Sequence, residues 1–117
     1  MLLHRILSQF RDIVDGIEVI QFDKAGQNTR MKLRIGLKGG STLFAREIIL
    51  DGARLKYAYH WTDRDGSLLA RWDNSSHWPK IATFPHHKHL GDEREVIETD
   101  ATNLEEVLET IRNALIR

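Results

Sequence analysis

The chain contains no cysteine. Disulfides and thiolate zinc sites are therefore excluded, and a reducing cytoplasm is the expected setting. It also lacks a surplus of charge, with 17 Lys and Arg against 17 Asp and Glu. That balance argues against broad, sequence-blind attraction to nucleic acid while leaving room for a local basic patch. No apolar run approaches the length needed to span a bilayer, so no membrane association is expected. The amphipathic segment after Met1 has no cleavage-like small-residue site, so no signal peptide is expected either. Linkers, repeats and low-complexity stretches are missing. What remains is an ordinary globular composition, 41% hydrophobic and 29% charged over 117 residues. A chain of that length suits a single domain, 1–117, with one core.

Hydrophobic spacing gives the element order. Residues 2–15 place Leu3, Ile6, Leu7, Phe10 and Val14 at helical intervals before Gly16. Residues 17–23 read as a strand, and a turn at 25–28 leads to a cleaner one at 30–38. There Met31, Leu33, Ile35 and Leu37 alternate with Arg30, Lys32, Arg34 and Lys38. Strands follow at 42–50, 54–62 and 67–73, with Asp51-Gly52 as a two-residue hairpin signal. A loop is expected after residue 73, with a short strand possible at 94–99. The last segment reads as a helix buried through Leu104, Val107, Leu108, Ile111 and Leu115. Thr102 or Asn103 is placed to cap it, with Thr102-x-x-Glu105 fitting a capping box. Its early Glu105, Glu106 and Glu109 and late Arg112 complement the helix dipole. This order means an α+β domain, an antiparallel sheet of about five strands flanked by N- and C-terminal helices on one face.

The 54–73 hairpin can be mapped by its two-residue period. With a turn at 63–66, Trp61 pairs with Leu68, Tyr59 with Ala70 and Tyr57 with Trp72 on a core face. The other face holds Lys56, Ala58, His60, Leu69, Arg71 and Asp73, with His60 diagonal to Arg71 and Lys56 across from Asp73. Continued through a two-residue loop, the map puts Glu47 beside Lys56; a three-residue loop would send Glu47 to the core side, where a carboxylate is costly. Such a face is often merely solvated. Here it gathers a fixed cation, proton donors and an acceptor, with Asn74 and His77 close behind.

The stretch RWDNSSHWPKIATFPHHKH, residues 71–89, holds four of the six histidines, two of the three tryptophans and both prolines. Together with Tyr57-Ala-Tyr-His60-Trp and Asp65-Gly66, the ordered set Arg71-Trp-Asp73-Asn74, His77 and Thr83-Phe-Pro-His86-His87-Lys88-His89 resembles the TumE family of small prokaryotic proteins. The likeness runs from about residue 40 to the C-terminal helix. Trp78 departs from the family pattern, in which small residues or proline and a second His are common there. The resemblance implies a toxin of a toxin–antitoxin operon, and hence a cognate antitoxin protein as partner. It does not imply a particular reaction.

Three chemistries suit these residues. The first is metal-free RNA cleavage, with His60, His77, His87 and His89 as proton-transfer groups and no cofactor. Arg71 would hold phosphate bidentately and Asp73 would orient Arg71 or a histidine. Lys56, Asn74, His86, Lys88 and Arg34 would contact substrate, and the Arg30, Lys32, Arg34, Lys38 stripe could track an RNA backbone. The second is a zinc or manganese site built from His60, His77, His87 and His89, since His87 and His89 share a side of an extended segment. The third is a non-catalytic module in which the same surface binds a protein partner. Each residue has a plainer role open to it. The stripe could be a solvated edge, Asp73-Asn74-Ser75-Ser76 a turn, and Trp78 a cover over the core.

Overall fold

The computed structural model describes residues 2–52, 54–74, 87–98 and 102–115. The elements are α1 (Leu2–Gln9), β1 (Val14–Ala25), β2 (Asn28–Leu37), β3 (Thr42–Leu50), β4 (Arg54–Thr62), β5 (Leu68–Asp73), β6 (His87–Leu90), β7 (Asp92–Glu98) and α2 (Leu104–Leu115). The strands form one antiparallel meander in chain order, each pairing with its sequence neighbours. The α+β class and the flanking helices are as expected, but the sheet has seven strands. The addition that the sequence hid is β6. His87-Lys88-His89-Leu90 has little strand-forming composition, and its place is fixed by pairing with β5 on one side and β7 on the other.

The clean alternation of β2 puts Met31, Leu33, Ile35 and Leu37 in the core. Across the sheet they are joined by Leu43, Ala45, Tyr57, Tyr59, Ala70 and Trp72. Ile6 and Phe10 at the α1 end and Leu104, Val107, Leu108 and Ile111 of α2 close over the same face. Each buried aliphatic side chain of this kind contributes about 1.5–3 kcal/mol. The helix at the N-terminus is shorter than its apolar spacing suggests, because Val14 belongs to β1 and Leu7 is exposed. At the other end Asn103, not Thr102, is the cap: its Oδ1 accepts the Glu106 N–H at 2.9 Å. Thr102 instead hydrogen-bonds the Glu106 carboxylate at 3.1 Å. Leu115 lies outside the buried stripe. Arg112 ties the two helices together, donating to the Gln9 carbonyl at the end of α1 and to Asp12 Oδ1, while its guanidinium sits 4.5 Å from the Phe10 ring centroid.

Two connections set the faces of the sheet. The β3–β4 loop has three residues, since Leu50 pairs with Arg54. Asp51 and Gly52 both take positive φ, 55° and 69°, a conformation suited to Gly and tolerated by Asp. The longer loop places Glu47 opposite Tyr57, on the core side, and not beside Lys56 on the ionisable face. In the β4–β5 hairpin the alternation of faces holds but the register lies two residues from the map. Trp61 faces Ala70, Tyr59 faces Trp72, and Leu69 is the extra residue of a bulge between Ala70 and Leu68. Beyond the bulge the shift is even, so residues 70–73 stay on their expected faces with new neighbours, whereas Leu68 pairs with Thr62 and not with Trp61 on the core face.

Candidate functional site on the open sheet face

The face opposite the helices carries two adjacent cross-strand rows. The first runs Glu18, Arg34, Phe44, His60, Arg71, His89, Val96 from β1 to β7. The second runs Gln21, Lys32, Arg46, Ala58, Asp73, His87, Glu98. The β2 stripe and the ionisable hairpin face thus belong to one surface. Strand neighbours lie about 4.8 Å apart, so side chains in a row are in mutual reach. The fixed cations Lys32, Arg34, Arg46 and Arg71 lie on the middle strands of the two rows, while Glu18 and Glu98 lie on the outermost ones.

His60 stands directly opposite Arg71, not diagonal to it, and Arg71 stands opposite His89. Asp73 lies between them: its Oδ2 is 3.2 Å from Arg71 Nε and 3.5 Å from His89 Nε2. Asp73 and His89 are 3% and 5% exposed, while the Arg71 side chain keeps 32%. Burying a carboxylate this deeply is tolerable because two cationic or donor groups face it. Asp73 thus braces Arg71 from the buried side.

In front of Arg71 the face dips into a shallow depression of about 240 Å³, lined among others by Lys32, Phe44, Arg46, Ala58, His60 and Arg71. Phe44 meets the His60 ring edge-on with centroids 6.4 Å apart. Ile20, the extra residue of a bulge in β1, closes one side. Phe44 and Arg46 were not among the residues singled out from the sequence. The signal was available: with the three-residue β3–β4 loop, the same period-two count places both beside His60.

Other expected residues fall elsewhere. Lys56 shares the open face but Ala58, not Lys56, opposes Asp73. Lys88 points to the core side, where its ammonium lies 4.8 Å from the Trp72 ring centroid and burial holds its pKa down. It is thus on the opposite face from His89. Asn74 continues the pairing of β5 onto β4: its Oδ1 accepts the Tyr57 N–H at 2.9 Å, and its own N–H donates to the Tyr57 carbonyl. Arg34 is exposed and 3.9 Å from Glu18. His87 is opposite Asp73 by backbone pairing, but its side chain lies outside the described residues, as do His77, Trp78 and His86 altogether. Among the described residues no three His, Asp or Glu side chains are grouped to hold a metal. Two of the four alternative ligands, His77 and His87, lie beyond that test.

On the core side Tyr59, fully buried, donates its hydroxyl to Glu47 Oε2 at 2.8 Å. Burial raises the Glu47 pKa against the lowering effect of that bond, and it pushes the Tyr59 phenol strongly upward. Glu47 also borders an apolar cavity of about 400 Å³ with Leu3, Val19, Phe22, Met31 and Ile49.

Fold and face together define a small α+β meander domain whose helix-free sheet face carries Lys32, Arg46, His60, Arg71 and His89. A family model described as Toxin TumE matches residues 2–115, nearly the whole chain. The chain belongs to the TumE toxin family. Comparison with curated proteins and with solved structures gave no match. No helix among the described residues is long and apolar enough to cross a membrane.

Proposed function

We propose that this chain is the toxin of a toxin–antitoxin pair and acts in the cytoplasm by cleaving RNA on the open sheet face, without a metal. The observation that carries this reading is the row His60, Arg71, His89 on three adjacent strands, with Asp73 braced between the last two. A phosphate held by the outer edge of Arg71 would have the His60 imidazole beside it. His60 takes the proton of a ribose 2′-hydroxyl as its oxygen attacks phosphorus. The bond from phosphorus to the 5′-oxygen breaks, that oxygen is protonated from water, and a 2′,3′-cyclic phosphate remains. Lys32 and Arg46, at the rim, favour the extra negative charge of the phosphorane. Asp73 and His89 are positioning residues that act through Arg71. A cognate antitoxin would neutralise the toxin by covering this face or by holding it shut.

The test uses purified full-length protein and a fluorescent RNA in EDTA across pH. Cleavage with cyclic-phosphate ends is expected. His60→Ala should slow it by about 100- to 10,000-fold, the usual range for a general base. His89→Ala should act on substrate affinity more than on turnover. Intact RNA at every pH, with or without added zinc or manganese, would remove the catalytic reading. Activity only with added metal would replace it by the metal-dependent one.

A further inference from the structure

We infer that Phe44 is a stacking platform and that the open face takes single-stranded rather than duplex RNA; this rests on the reading of the face as an RNA site. A phenylalanine on the helix-free side of a sheet gains little from the core. Phe44 is nonetheless placed there, 39% exposed, in the middle of the cationic row between Arg34 and His60. Ile20, 54% exposed, adds a second apolar wall to the same depression. Cations around an exposed ring suit a ligand with charged linkages and flat apolar faces in alternation. An unpaired nucleotide strand has both. The edge-on contact with His60 leaves the ring plane of Phe44 at 71° to the imidazole. A base stacked on Phe44 would share the depression with His60 and Arg71. In an A-form duplex the bases are stacked on one another, and the depression meets only phosphates and 2′-hydroxyls. Phe44 has nothing to grip there.

The experiment uses a fluorescein-labelled 12-nucleotide RNA carrying 2′-O-methyl groups throughout, which cannot be cut through its 2′-oxygen. It is offered to the full chain alone or annealed to its complement. Tight single-strand binding and weaker duplex binding are expected by anisotropy. Phe44→Leu should weaken only the single strand, by about 5- to 100-fold for one lost stacked base, and Phe44→Trp should retain or tighten it. A 2-aminopurine in the strand should be quenched by the wild type and not by Phe44→Leu, with both proteins shown to unfold at similar urea concentrations. Equal affinity for duplex, no binding of either probe, or an unchanged Phe44→Leu constant overturns the inference. Binding of the methylated strand without cleavage of ordinary RNA would leave the platform standing and remove the proposed reaction. Cleavage that ignores Phe44 would do the reverse.

Discussion

Tyr59→Phe deletes one oxygen from the centre of the core, and its effect should depend on pH. The phenol is fully buried and its hydroxyl is bonded to the Glu47 carboxylate at 2.8 Å. A hydrogen bond to an ionised group contributes about 1.5–3 kcal/mol, one between neutral partners about 0.5–1.5 kcal/mol. Glu47 has a raised pKa, caused first by its burial. For a carboxyl raised in the folded state, the protonated form is favoured by folding. Its contribution is fully present below the unfolded value of 4.5 and is lost as pH rises through the folded one. Urea unfolding of wild type, Tyr59→Phe and Glu47→Gln at pH 4 and pH 8 tests this. Tyr59→Phe should lose about 1.5–3 kcal/mol at pH 8 and clearly less at pH 4. Glu47→Gln keeps an acceptor for the phenol and never ionises, so its stability relative to wild type should improve from pH 4 to pH 8. A Tyr59→Phe loss that is the same at both values, or a Glu47→Gln difference that does not move with pH, refutes the account of this pair.

Three further outcomes are expected. Leu108→Ala removes a fully buried side chain from the contact between α2 and the sheet and should destabilise by about 2–5 kcal/mol in the same urea assay. Asn103→Ala removes the cap of α2 and should lower stability by about 0.5–2 kcal/mol, with Asn103→Asp restoring most of it. Asp12→Asn probes the latch between the helices. Its hydrogen bond from Arg112 lowers the Asp12 pKa, so the stabilisation is present above the unfolded value of 3.8 and fades as pH falls through the folded one. The variant should therefore differ from wild type at pH 7 and converge with it in acid.

The strands with strict alternation were legible from residue types alone. β3 and β4 match their expected bounds, 42–50 and 54–62: Gly39-Gly40-Ser41 and Asp51-Gly52 delimit β3, and in β4 Tyr57, Tyr59 and Trp61 alternate with Lys56, Ala58 and His60. The faces of the β4–β5 hairpin were legible for the same reason, whereas its pairing was not. The hairpin end is one residue off the expected count and the bulge at Leu69 adds another, so partners change while residues 70–73 keep their faces, and nothing in the local composition marks the bulge. The β3–β4 loop was misjudged because Asp-Gly suits two-residue and three-residue turns alike, and Glu47 followed it to the wrong face. The Phe44–Arg46 side of the site was lost by the same step. β6 was hidden because a strand of histidine and lysine is specified by its neighbours rather than by itself.

The meander has a consequence for when the molecule comes into being. Each strand needs only the one made just before it, so the sheet can lengthen as the chain leaves the ribosome, hairpin by hairpin. Arg71 and Asp73 emerge ahead of His89, and the α2 residues that share the core with Leu33, Ile35 and Leu43 emerge after all seven described strands. A nascent chain halted before Leu104 would present its greasy underside to proteases and chaperones. Covering of that underside therefore waits for α2 and not for the sheet alone.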